Sequence, residues 1–206
     1  MAGTMLRSSR KRRSRRRGVR VGALMLGLAI LLLVGVGGYY ILQFPKNIEK
    51  IVYPLHYEDI IERYAQQYEL DPARVAAVIY CESSFRATAV SSVGAVGLMQ
   101  IMPETGRWIA EKLGEEEYRV EDLNVPEINI RYGCWYLNYL DNRFEDNLTN
   151  ATAAYHAGGG KVNEWLKDAR YSEDGDTLSD IPFQQTNAYV KNVHQAYEKY
   201  KEIIAS

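Results

Sequence analysis

Hydrophobic and polar positions change their rhythm twice along the chain. Val21 to Phe44 (VGALMLGLAILLLVGVGGYYILQF) holds no charged residue. At about 1.5 Å per residue it makes a helix of roughly 36 Å, enough to cross a hydrocarbon core of about 30 Å. Residues 21–44 are therefore expected to form one transmembrane signal-anchor behind a basic tail, 1–20. Residues 45–56, with Pro45 and Pro54, read as a linker. From Tyr57 onward the apolar positions recur at helical spacing with no sustained alternation. That pattern predicts helices over Tyr57–Tyr68, Pro72–Ser83, Pro103–Leu113, Pro126–Asn142, Leu148–Ala157, Lys161–Asp168 and Gln185–Ile204. The fold class is all-α, one helical domain over 57–206 behind one N-terminal span. Asp71 suits a helix cap with Pro72 at the first helical position, and Gly158 suits a helix end.

Charge sharpens the division. Nine of the 25 basic residues lie within 7–20, and the first acid is Glu49, so from Val21 onward sixteen basic residues face all 26 acids, a balance of −10. An acidic body makes nucleic acid an unsuitable partner, because phosphate binding requires basic residues on the folded part. The basic tail instead satisfies the positive-inside rule, placing the N-terminus in the cytoplasm and the body across the membrane, with Tyr39, Tyr40 and Phe44 at the far interface. A cleaved signal peptide would need a small-residue site, which is not found after Gly38, and a lipoprotein would need a cysteine there, whereas the first is Cys81.

Candidate chemistry begins at Glu82. Val75, Val78, Ile79 and Glu82 share one helical face, so the carboxyl falls on an apolar stripe at the C-terminal end of its helix. Burial and the negative end of the helix dipole both disfavour its charge and raise its pKa, as a general acid requires. The competing reading is a frayed end with Glu82 in water. In SSVGAVGLMQIMPET (91–105), Gly94 and Gly97 suggest positive φ or close backbone approach. Gln100, set among Leu98, Met99, Ile101 and Met102, needs a partner, which can be structural or a ligand.

Glu82-Ser83, Ser91 and Gly94-Ala-Val-Gly97-Leu-Met-Gln100-Ile-Met102-Pro103 together resemble the soluble-lytic-transglycosylase type of lytic transglycosylase domain. Further matches follow in order: Asp122-Leu123 with Pro126 and Asn129-Ile130, then Gly133 with Tyr136-Leu137. Ala154-Tyr155-His156-Ala157-Gly158 comes next, followed by Phe183, Tyr189-Val190 and Val193. The resemblance covers about Tyr57 to Tyr200. It implies a lysozyme-like helical fold, and cleavage of the β-1,4 bond between N-acetylmuramic acid and N-acetylglucosamine in peptidoglycan with formation of a 1,6-anhydro end.

The resemblance further implies that Glu82 acts alone as acid and then base, unlike the two-carboxylate glycosidases, with no cofactor and no metal. Ser91, Gln100 and Met102 would line the glycan groove; Tyr155 would hydrogen-bond near the catalytic carboxyl, and Tyr189 would close the far side. Peptidoglycan strands are the expected partner. The location would be a bacterial cell membrane, single-pass, with an extracytoplasmic catalytic domain. Two positions depart from the family pattern: His156 stands where asparagine is usual and Gln185 where glutamate is usual. The first adds a group that titrates near neutrality and the second removes a negative charge from the groove. A hydrolytic muramidase and a non-catalytic peptidoglycan-binding module are the alternatives.

Other features have plainer readings. Cys81 and Cys134 form either a disulfide on the oxidising side of the membrane or two buried thiols. His56, His156 and His194 are too scattered for zinc. Ser172–Asp180 (SEDGDTLSD) reads as a solvated loop, because it lacks the closing Glu of a calcium loop. Glu115–Glu117 reads as a solvated acidic turn. Asn147 and Asn150 open glycosylation sequons of no consequence in a bacterium. Trp135 and Tyr136 fall on a core stripe, and other aromatics are available as walls for sugar rings.

Overall fold

The computed structural model describes Met25, residues 30–39 and residues 51–205. Two compact units divide the chain, Met1–Val52 and Tyr53–Ser206. In the first, residues 30–39 are helical, and Ile30, Leu31, Leu32, Leu33 and Val34 are all more than half exposed. Much of the expected 21–44 span lies outside the described residues, and among the described residues no helix is long and apolar enough to cross a membrane.

The second unit is helical, with two isolated antiparallel bridges, Val90 to Val96 and Val96 to Ile101, as its only extended pairing among the described residues. Its helices are α1 (Glu58–Gln67), α2 (Pro72–Ser83), α3 (Pro103–Leu113), α4 (Pro126–Arg143), α5 (Leu148–Ala157), α6 (Gly159–Leu166) and α7 (Gln184–Ile204). A 3₁₀ turn over Val120–Asn124, which the hydrophobic pattern did not signal, leads into α4. The sequence placed α2, α3 and α5 to the residue. It started α6 two residues late: Gly159 and Gly160, weak helix formers by propensity, both lie inside the helix. The folded unit also begins earlier than expected, taking in Tyr53 to His56 from the segment read as linker.

Helix α2 lies at the centre. The Asp71 side chain accepts the Ala73 N–H at 2.8 Å and Pro72 takes the first turn, as the sequence suggested. Every residue from Ala73 to Ile79 is buried, so the helix is covered on all faces instead of showing one apolar stripe. Burying Arg74 in this position requires a matched charge. Its guanidinium meets both carboxylate oxygens of Asp141 on α4 at 2.6 and 2.8 Å, the paired geometry that best offsets desolvation. The most extensive helix pairing is that of α2 with α7.

The glycine-containing loop after α2 is tied to α4 through one side chain. Asn129, fully buried on α4, donates to Val96 O at 3.0 Å and Leu123 O at 2.8 Å, and accepts from Met99 N–H at 2.8 Å. Gly97, at φ +84°, lies directly against it: a Cβ there would fall 2.2 Å from Asn129 Nδ2 and 2.3 Å from Leu123 O. Only glycine fits both the space and the dihedral.

One open sequence reading is decided and another changes. Cys81 and Cys134 are free thiols. Cys134 is sealed in the core, whereas Cys81 lines a cavity with Tyr53 and Tyr80, so the two serve different environments. Glu115 is not simply solvated: it accepts the Tyr132 hydroxyl at 2.5 Å and pairs with Arg131, while Glu116 and Glu117 are exposed. The Ser172–Asp180 loop is tied to the body by Asn150, which is buried and bonds Asp176 O at 2.7 Å and Leu178 N–H at 3.1 Å. Trp135 and Tyr136 are half-buried, and with Trp108, Tyr139 and Tyr155 they form a chain of ring contacts at 5.0–6.2 Å on the edge of the core.

Asn129→Ala strands one buried N–H and two carbonyls, each worth about 1–3 kcal/mol when left unpaired in the interior. The expected loss is about 3 kcal/mol, or roughly 6–12 °C in Tm for a chain of this size. Thermal denaturation followed by circular dichroism measures it; a loss under about 1 kcal/mol would show that the loop is held by other contacts.

Candidate active site

Glu82 sits in the last turn of α2, where the helix leaves the core. The chain turns away through two consecutive left-handed residues, Ser84 (φ 50°) and Phe85 (φ 62°), with Ser84 N–H still bonded to Tyr80 O. Backbone strain of this kind is retained where the surrounding packing holds it, and here Phe85 is buried in the core. The carboxyl is only half-buried, yet desolvation pushes its pKa from 4.5 up to about 7. The helix therefore does not fray into water, and the stripe on which the sequence placed Glu82 continues to the site.

The hydroxyl that reaches this carboxyl belongs to Tyr189 of α7, which donates to Glu82 Oε1 at 2.6 Å and partly offsets the upward shift. The resemblance had given that neighbouring hydrogen bond to Tyr155. Its hydroxyl instead donates to Met99 O at 2.8 Å and fastens the glycine loop to α5. The difference follows from packing, since α7 runs against α2 along its length and brings Tyr189 into reach. Burial and the nearby Glu82 charge push both tyrosines well above their ordinary pKa, so both remain protonated donors.

The remaining candidates fall into two groups. His156 packs against Tyr189, with ring centroids 4.6 Å apart and the rings tilted by 32°, and its Nδ1 lies 3.1 Å from the buried Thr186 hydroxyl; burial lowers its imidazole pKa. His156 and Gln185 also line a depression of about 520 Å³ with Pro182, Phe183, Gln184 and Thr186. Ser91 and Gln100 direct polar atoms into the loop itself. Ser91 Oγ accepts Ala95 N–H at 2.9 Å, and Gln100 Nε2 donates to Gly97 O at 2.9 Å and Ala89 O at 3.1 Å. The partner that the Gln100 amide nitrogen needed is thus structural. Met102 is half-buried at the start of α3. Among the described residues no three His, Cys, Asp or Glu side chains converge as a metal site would require. Asn129 and Thr186 were not read from the sequence as parts of the site; the only signal for Asn129 was its place in the family pattern.

The transglycosylase SLT domain model matches residues 59–177, more than half the chain. The chain belongs to this family. Its curated relatives include the soluble lytic murein transglycosylase of Salmonella typhimurium, 38% identical over 150 residues that make up 72% of this chain and 23% of the relative. The membrane-bound lytic murein transglycosylase C of Actinobacillus pleuropneumoniae is 30% identical over 171 residues, 71% of this chain and 46% of the relative. The chain spans about a quarter of the length of the soluble relatives that it matches. Among solved structures, an inactive mutant of lytic transglycosylase Slt from Pseudomonas aeruginosa superposes with a TM-score of 0.68 at 34% identity, over 76% of this chain and 25% of that one. The 70 kDa soluble lytic transglycosylase in complex with bulgecin A gives 0.69 at 32% identity, over 81% and 27%. The expected SLT-type helical fold therefore stands. The SLT match begins at residue 59, whereas the folded body begins at Tyr53.

The raised pKa of Glu82 carries a stability cost. Between pH 4.5 and 7 the folded state holds this proton more tightly than the unfolded chain does, so the Glu82 contribution to stability falls as pH rises through that window. Glu82→Gln removes the penalty, and is expected to be more stable than the parent by roughly 3 kcal/mol at pH 8 and equal to it at pH 4. Melting curves at the two pH values check this; equal Tm at pH 8 would mean that the carboxyl is well solvated. Tyr189→Phe deletes the hydrogen bond that favours the carboxylate, so Glu82 should titrate still higher. A carbon NMR titration of the glutamate carboxyl reads that shift, and a downward movement would contradict it.

Proposed function

We propose that the protein is a membrane-anchored peptidoglycan lytic transglycosylase with Glu82 as its single acid and base. The observation that carries this reading is a carboxyl desolvated to a pKa of about 7 and held by one neutral donor, Tyr189, with no other carboxylate contributing to its shift. At neutral pH such a group is populated in both protonation states, which suits an acid that must become a base within one turnover. Membership of the SLT family and the names of its relatives support the same chemistry.

The protonated Glu82 gives its proton to the glycosidic oxygen as the C1–O bond of the muramoyl residue breaks, and the N-acetylglucosamine leaves with a free hydroxyl. The carboxylate left behind accepts the proton of the muramoyl 6-hydroxyl as that oxygen bonds to C1. Glu82 is restored, a 1,6-anhydro ring is formed and no water is consumed. Tyr189 stabilises the carboxylate between the two steps through its 2.6 Å hydrogen bond. In this reading Ser91, Gln100 and Met102 line the glycan groove near Glu82, Tyr189 closes its far side, and His156 and Gln185 belong to the groove as well. The Gln100 contribution to the sugar comes through its carbonyl, since its nitrogen is engaged within the loop.

The anchor belongs to the same proposal. Its support is the uncharged run 21–44 behind nine basic residues, together with the exposed apolar side chains of helical residues 30–34. Membrane-bound relatives point the same way.

The full chain in detergent, incubated with purified peptidoglycan beside Glu82→Gln, tests the chemistry by mass analysis of the released fragments. The expected products are anhydro-ended muropeptides, lighter than hydrolysis products by the mass of one water, and at least about 100-fold fewer with Glu82→Gln. Reducing ends would make the protein a muramidase. Binding without release would make it a glycan-binding module.

A further inference from the structure

The His156 side chain grips α7 at two points. Its Nδ1 shares a hydrogen bond with the Thr186 hydroxyl at 3.1 Å, and its ring lies against that of Tyr189, with centroids 4.6 Å apart and a tilt of 32°. Thr186 and Tyr189 are three residues apart on α7, so they share one face of that helix, and both are buried. His156 itself stands in the last turn of α5, which stops at Gly158. The far end of the Tyr189 phenol carries the hydroxyl that donates to Glu82 Oε1 at 2.6 Å. A side chain of α5 thus meets, on α7, the one group that holds the acid of α2.

Building on the reading of Glu82 as acid and base, we propose that His156 is a positioning residue: it holds the Tyr189 phenol in line with the Glu82 carboxyl, and so sets how readily that carboxyl gives up its proton. His156 acts through Tyr189 alone, since burial and the Tyr189 hydrogen bond are the two causes of the Glu82 shift and no direct contribution from His156 enters it. A hydrogen bond favours a carboxylate only while its donor keeps both distance and angle, and it weakens steeply once the angle at hydrogen falls below about 120°. A phenol turns about two side-chain torsions, so keeping its hydroxyl at 2.6 Å requires that the ring be held. Tyr155 does not substitute for it, being committed to Met99 O.

The surroundings suit this role. The outer edge of His156 is exposed, so the side chain is not a filler of the core, and its two contacts are both with α7. The side chains that face it there are uncharged near neutrality: Thr186 and Tyr189, with Phe183, Gln184 and Gln185 lining the same depression. On α4 and α6, Arg143 is turned to Gly159 O and Lys161 to Glu164. Burial alone lowers the His156 pKa, so near pH 7 a neutral ring steadies Tyr189 by contact. The groups coupled to Glu82, namely Cys81, Tyr155 and Tyr189, are all pushed up and stay neutral over that range. The midpoint of Glu82 therefore reports the state of the Tyr189 hydrogen bond.

Carbon NMR of the Glu82 carboxyl in the full chain in detergent, its signal assigned by its absence from Glu82→Gln, tests this role. His156→Ala is expected to raise the midpoint by about half a pH unit. Thr186→Val, which preserves volume but releases the imidazole, should raise it by less, and His156→Phe, which keeps a ring against Tyr189, should recover more than half of the difference. In a Tyr189→Phe background these changes should vanish, because the bond through which His156 acts is already gone. A midpoint within about a tenth of a pH unit of the parent, or an equal shift in both backgrounds, overturns the proposal. So does a downward shift, which would mean that the side chain only keeps water from the acid. On peptidoglycan, His156→Ala should lower kcat about fivefold, with the basic limb of its pH profile following the carboxyl. A raised KM with an unmoved midpoint would make His156 a substrate contact and nothing more. The NMR titration needs no turnover, so it decides the role of His156 even if the activity reading fails.

Discussion

The body is organised around a helix that has no solvent face for most of its length. Covering α2 on every side takes helices from both ends of the domain, chiefly α7, and that enclosure sets the electrostatics of everything α2 carries. At one end Arg74 is tolerated because Asp141 matches it in the paired geometry that a desolvated guanidinium requires. At the other end Glu82 leaves the core, its pKa raised to about 7 by burial and offset only in part by the Tyr189 hydrogen bond. One burial thus produces a structural ion pair and a protonatable acid.

The groove is preorganised by the same economy of polar groups. Ser91, Gln100 and Asn129 take up the backbone donors and acceptors that the glycine loop would otherwise present to solvent. A loop saturated in this way behaves as a wall, since moving it would leave buried polar groups unpaired. Tyr155 bonds the wall to α5 and Tyr189 bonds the acid to α7, so the two tyrosines brace the site from different helices. Rigid placement of this kind suits the proposed single-carboxyl mechanism, in which one group serves both proton transfers without being repositioned.

The two departures from the family pattern lie together. His156 and Gln185 line the same depression, and the His156 ring packs tilted against the ring that holds Glu82. Its imidazole is disfavoured as a cation by burial, and Gln185 carries no charge, so this flank is neutral near pH 7. With the cavity on the Tyr53 side, whose lining carries no charged side chain, the acid works between two uncharged surfaces in an acidic body.

The helices were legible because each carries its own punctuation: Asp71-Pro72, Pro103, Pro126 and Gly158 mark boundaries through local backbone preferences that need no tertiary context. Glu82 was legible by periodicity and Gly97 by its density among apolar residues. Those signals act over a few residues, so a single chain displays them. The tertiary structure alone decided which tyrosine reaches the acid, because Tyr155 and Tyr189 are equivalent in composition and separated from Glu82 by packing that spacing does not encode. It likewise turned the Gln100 nitrogen inward, left Cys81 and Cys134 as separate thiols, paired Glu115 with Tyr132 and Arg131, and drew Tyr53 into the body. Each of these outcomes depends on which long-range neighbour fills a given volume. That is a property of helices packed against one another, and local sequence constrains it only weakly.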